Sequence, residues 1–122
     1  MAITKSSIGA VLVDVVYVDT NANATERAVT TSGATLYQAV IDNSANDEAS
    51  YLKLYDAGSA VTVGTTVPQF VLWAPASTTL AYRVAAGAVF ASGIRCAVTK
   101  TSARSSTTNP DSAVTIRLLV DD

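Results

Sequence analysis

An all-β sandwich is the fold this chain predicts, and three observations lead to it. Val, Thr and Ser abound while Glu, Lys and Gln are scarce, the composition of pleated, half-buried surface rather than of helix. Period-two alternation of apolar and polar residues recurs along the chain. Gly, Pro, Asn and Ser clusters cut it into short segments, as in a single antiparallel β-sandwich of seven to eight strands, jelly-roll or immunoglobulin-like. No strand–helix alternation supports a parallel α/β sheet. With 122 residues, the chain forms one domain over 1–122, and 1–9 reads as an N-terminal arm.

Taken in order, the apolar stretch 8–18 alternates Val11, Val13, Val15 and Tyr17 on one face against Leu12, Val16, Val18 and Asp14 on the other. Apolar on both faces, it suits a central strand. Lys5, the stretch IGAVLVDVV and Ala22-Asn23-Ala24 resemble a faint signal peptide, but Asp14 and the alternation favour the strand and no secretion leader. Residues 20–25 (TNANAT) form a loop. A second strand covers 36–42, entered through Ser32-Gly33, and 43–50 (NSANDEAS) is a polar turn. The third strand, 51–57, sets Leu52 and Leu54 inward and Lys53 outward.

Next comes 67–74, which Pro68 confines to a strand start or an edge and Pro75 ends. In 78–84, Leu80, Tyr82 and Val84 alternate with Thr79, Ala81 and Arg83. The segment 89–99 reads as one strand bent at Gly93. A Ser/Thr-rich loop, 100–111, ends in the turn signal Asn109-Pro110-Asp111. In the last strand, 113–120, Val114, Ile116, Leu118 and Val120 face in, and Thr115 and Arg117 face out.

Charge excludes several functions. The chain has 8 basic and 10 acidic residues, a net charge of −2, and no basic stripe, so no nucleic-acid partner is expected. Lys53, Arg83, Arg95 and Arg117 each stand alone in apolar alternation, as outward teeth of strands. No apolar run reaches the roughly 20 residues of a bilayer-spanning helix, so no membrane partner is expected. Only 15% of residues are charged against 49% hydrophobic, where about 25% charged is usual. A small chain of that composition suits a homo-oligomer that hides surface between subunits.

The residues give little to chemistry. Histidine is absent, which excludes Ser-His-Asp and Cys-His catalysis; no catalytic residue, cofactor or metal is expected. The single cysteine, Cys96, alternates with Ile94 and Val98, so its thiol reads as core, and no internal disulfide can form. Asp19, Asn21 and Asn23 take the first three alternate positions of a calcium loop, but Ala24 and Thr30 stand where Gly and a carboxylate are needed, leaving a solvated loop. Asn43, Asp47 and Glu48 read as a turn that could also hold a cation. Trp73, opposite Phe70 in FVLWAP, is either a core side chain or an exposed anchor for a sugar or a subunit. Tyr51 and Tyr55 flank Lys53 on one strand face, a cation–π cluster or an interface. Tyr51, Lys53, Tyr55 and Trp73 are the interface candidates.

Three stretches carry a resemblance. YLKLYDAGSAVTVGTTVP, GAVFASGIRCAVT and AVTIRLLVDD follow one another through the C-terminal two thirds of the chain. In that order they resemble small virion proteins of tailed bacteriophages; the segment up to Val40 matches no named pattern. The resemblance implies a head decoration (cement) protein, head fibre or spike, commonly trimeric, with the major capsid protein as partner. It implies a place on the capsid surface of the virion after synthesis in the host cytoplasm, and brings no catalytic residues with it.

Overall fold

Nine strands in two antiparallel sheets make up the computed structural model, which describes residues 3–7 and 15–122. They are β1 (Ile3–Ser7), β2 (Val15–Ala22), β3 (Arg27–Thr30), β4 (Ala34–Asp42), β5 (Ser50–Asp56), β6 (Phe70–Ala74), β7 (Thr79–Phe90), β8 (Ile94–Thr99) and β9 (Val114–Asp121). One sheet runs β1-β2-β9-β4-β7 and the other β3-β8-β5-β6. Without the edge strand β1, consecutive strands cross between sheets at every connection except β5–β6, in the order of two interlocked Greek keys. That order is a jelly roll, which decides between the two expected topologies.

The core follows from alternation. Along β9, Val114, Ile116, Leu118 and Val120 are buried and Arg117 is exposed, as the two-residue period requires. Opposite them lie Leu52, Leu54, Ile94, Cys96 and Val98 from the second sheet, with Tyr17, Leu36, Ile41 and Phe90 completing one cluster. Phe70 and Phe90 meet across the sheets with ring centroids 5.8 Å apart, tilted by 56°, a favoured aromatic geometry.

The strand count exceeds the expected seven to eight for definable reasons. β1 (ITKSS) is mostly polar and β3 (RAVT) has four residues, too little pattern to read as strands. The expected strand 89–99 is two strands: β7 ends at Phe90 in one sheet and β8 starts at Ile94 in the other. Gly93 makes the switch at φ +146°, where an added Cβ would lie 2.8 Å from the Ala57 carbonyl oxygen and 3.0 Å from that of Thr30. β7 continues past Val84, because Leu36 pairs with Ala88 and Gln38 with Arg83, so residues 84–87 bulge outward opposite Tyr37. The expected faces of Val11, Leu12, Val13 and Asp14 lie outside the described residues.

β6 is an edge of one sheet and β7 of the other, and the two edges lie side by side. Pro68 and Pro75 bracket β6, the edge position that proline tolerates.

Candidate interaction surface

Two long loops cover the outer face of β8 and β5, the middle strands of the β3-β8-β5-β6 sheet. Loop 57–69 leaves from the end where Asp56 pairs with Ile94; loop 100–113 leaves from the opposite end, where Tyr51 pairs with Thr99. They fold toward each other and touch at Gly64, whose position lies against the Thr107 methyl group and the Ser105 carbonyl. Two cations of the sheet tie them down. Lys53 is fully buried, and its Nζ donates to the carbonyls of Ala103 (2.7 Å), Ser106 (3.3 Å) and Arg104 (3.4 Å). Arg95 donates to the Gly58 carbonyl at 3.2 Å and pairs with Glu26 at 3.4 Å. Burial pushes the Lys53 pKa below its usual value.

These contacts correct the reading of Lys53 as an exposed tooth. It does point away from the core, but the chain's own loop closes over it. Its ammonium is held by backbone carbonyls, rather than stacked between Tyr51 and Tyr55. Tyr55 is buried on the same face, and its phenol pKa is raised by burial and then by neighbouring Cys96 and Glu26. Of the four interface candidates, Lys53 and Tyr55 are therefore enclosed, Tyr51 is half-buried and Trp73 is exposed. Trp73 pairs with Tyr51 across β6 and β5. At 50% exposure it is not the core side chain that one reading made it.

Trp73 belongs to a larger feature. Among the described residues, six large hydrophobics are exposed: Ile3, Val67, Val71, Trp73, Val84 and Val89. All but Ile3 lie on β6, on β7 or just ahead of β6. Between the two edges opens an apolar hollow of about 120 Å³, lined by Leu36, Leu54, Phe70, Leu72, Tyr82 and Ala88 among others. Ligand pockets usually enclose about 300 Å³ or more, so the hollow suits one side chain better than a small molecule. The Tyr82 hydroxyl donates to the Trp73 carbonyl, and Gln69 Nε2 donates to the Val89 carbonyl at 3.2 Å.

The polar ends of the sandwich are occupied by internal bonds. Asp19, fully buried, accepts from Arg27 Nη1 at 2.9 Å and from the Asn21 N–H at 2.9 Å; both of its oxygens are engaged where a calcium loop would use them. Asn43 is buried and donates to the carbonyls of Glu48, Pro75 and Ala74 while accepting from Asn46 and Ser50. Asn46 in turn binds Ser112 in both directions. This asparagine pair gathers three loops at one end, a role that a polar turn in the sequence does not announce. Asp47 and Glu48 converge with Asp111 instead of with Asn43, all three exposed, and the Lys100 ammonium reaches Glu48 at 2.7 Å and Asp111 at 3.1 Å. Cys96 is buried as expected; burial, then the Asp19 charge, pushes its thiol up to about 12. At that value it is neutral and a poor nucleophile.

The surface with the most capacity for binding is thus the apolar β6–β7 edge. No protein-family model matches the chain, and neither the curated proteins nor the solved structures contain a significant match to it.

Proposed function

We propose that this chain is a structural protein of a phage particle, a capsid decoration or cement protein that self-associates and binds the head surface, with no reaction of its own. The observation that carries the reading is the concentration of exposed apolar side chains on the β6–β7 edge of a jelly roll. Such an edge suits burial against other subunits, and symmetry multiplies a modest contact over many copies. The motif resemblance agrees with this role. The fold agrees by analogy only, since jelly rolls serve capsid and lectin domains alike. The test is cosedimentation of the purified chain with phage heads that lack decoration proteins. Saturable binding at a fixed ratio to the major capsid protein supports the reading; no binding at micromolar concentration overturns it.

The second reading is a carbohydrate- or receptor-binding module of a fibre or spike. The half-exposed Trp73 beside Tyr51 favours it, because aromatic faces at strand edges suit sugar rings. A glycan array read with wild type and Trp73→Ala separates the two. Glycan binding lost in the variant supports the module, and no binding by either protein rejects it.

A further inference from the structure

We propose that the β6–β7 edge is the surface through which copies of this chain meet one another. Area, charge and the state of the backbone each point to a second copy as its occupant.

The first is area. Val71 and Trp73 flank the paired edges on the outer face of β6, Val89 flanks them on the outer face of β7, Val67 lies just ahead of β6 and Val84 lines the hollow. Their exposed apolar surface comes to on the order of 400 Å², the size at which a monomer's apolar surface is often functional. A standard stable contact buries about 800 Å² per partner, a little over half of it apolar. A contact that covers both flanks of the paired edges, with an ordinary polar rim, reaches that size.

The second is charge. Between Ala57 and Phe90, Arg83 is the only charged residue. An edge placed at a symmetry axis faces the same residues of another copy, so self-contact penalises like charges and tolerates a neutral surface. One arginine gives too little charge to select an acidic partner, a nucleic acid or an anionic lipid surface.

The third is the state of the backbone. Bare sheet edges invite foreign strands, and proteins commonly protect them with charge or proline. Here protection comes from within. Tyr82 occupies the Trp73 carbonyl and Gln69 the Val89 carbonyl, which discourages strand addition, while the apolar side chains stay outside. That combination fits side-chain packing between copies, with the hollow beneath Tyr82 receiving one apolar group of the neighbour.

This inference rests on the self-association within the proposed function but not on capsid binding. Sedimentation-velocity and light-scattering masses of the whole chain test it, from micromolar to millimolar concentration. The variants are Trp73→Glu, Val89→Lys and Val67→Glu, with Arg117→Glu on β9, two strands in from the edge, as a charge control. The expected result is a wild-type dimer or trimer that Arg117→Glu preserves. Each edge variant raises its dissociation concentration about tenfold or more. Val67→Glu lies outside every strand, so it reads the contact even if a strand variant fails to fold; circular dichroism reports folding for all. A wild type that stays monomeric at millimolar concentration overturns the inference and the self-association together. An oligomer that survives all three edge variants overturns the inference alone, and head binding, measured separately, stands or falls by itself.

Discussion

The outer face of the middle strands β5 and β8 and the β6–β7 edge are both surfaces with apolar content, and the chain treats them in opposite ways. The face is covered by loops 57–69 and 100–113, held through Lys53 and Arg95. The edge is left with five exposed apolar side chains. Covering the face costs the ordering of two long loops, and the buried ammonium needs its carbonyl partners to remain tolerable. A chain able to shield one surface this thoroughly leaves another open, and that difference is what the proposed contact between copies rests on.

The strongest way to break the comparison is to remove the cover. Lys53→Ala leaves the carbonyls of Ala103, Arg104 and Ser106 without their shared donor and opens a hole under loop 100–113. The expected loss is about 3 kcal/mol, read as a lower urea midpoint. Amides of residues 100–110 should exchange faster, and proteolysis should begin there. Lys53→Met, which keeps the packed stem, recovers part of the stability but not the exchange protection of the loop. Unchanged protection in both variants would show that the loop holds itself. Asn43→Ala should cost about 2–3 kcal/mol, because it strands the Glu48, Ala74 and Pro75 carbonyls together with Asn46 and Ser50. Its signature is lost protection at 74–78 and 112, at the end where those three loops meet.

Alkaline pH tests the interior under both surfaces. Cys96, Tyr17 and Tyr55 all have raised pKa values, burial being the largest cause in each. The unfolded chain loses these protons first, the thiol near 9.0 and the phenols near 10.0. It then binds fewer protons than the folded chain, so stability falls as pH rises past about 9. Lys53 works the other way. Its lowered pKa means that the unfolded chain keeps that proton longer, so its contribution rises with pH in the window just below 10.5. Three acids against one base give a net fall. Urea midpoints should drop steadily from about pH 9 upward, and Cys96→Ala should delay the onset toward the phenol range. A flat profile up to pH 10.5 would contradict the burial of these groups.

How far this division was legible in the sequence depends on the range of the interactions involved. The β9 alternation of Val114, Ile116, Leu118 and Val120 is local, and it survives into the fold unchanged. The same holds for Leu52 and Leu54 on β5, for the buried Cys96 and for the edge position that Pro68 implies. The cover over Lys53 was not legible, because its partners lie 50 to 53 residues away and are backbone carbonyls, which carry no residue code. The division of 89–99 between two sheets was hidden for a related reason. The apolar pattern runs on through Gly93, and only the approach of the Ala57 and Thr30 carbonyls there demands the switch. Trp73 shows a third limit: alternation places it opposite Phe70 but does not say that β6 has no neighbour beyond it.

A smaller effect sharpens the contact between the two covering loops. Gly64 has φ +95°, and a Cβ there would come within 2.8 Å of Thr107 Cγ2. Gly64→Ala should cost about 1–2 kcal/mol through backbone strain and the displaced methyl group. Thr107→Ser in the same chain removes that methyl group and should relieve the contact without relieving the strain. A double-mutant cycle then separates the two terms, and complete rescue would show that the backbone at 64 carries no strain of its own.

The smallest expected effect lies at the edge itself. Trp73 contributes little to the isolated fold, because half of its surface already meets water and its backbone carbonyl, which the Tyr82 hydroxyl uses, survives substitution. Trp73→Ala should therefore change the stability of the dilute monomer by roughly 0.5 kcal/mol or less, as for surface substitutions generally. A core truncation such as Leu54→Ala should cost about 3 kcal/mol, since Leu54 is fully buried. Measuring Trp73→Ala at low and at high protein concentration turns this small number into a decisive one. If the edge is a contact, the variant's deficit grows with concentration, because mass action stabilises only the chain that can still associate. If the deficit is the same at every concentration, Trp73 acts within the monomer, and the open edge has some use other than packing against copies of itself.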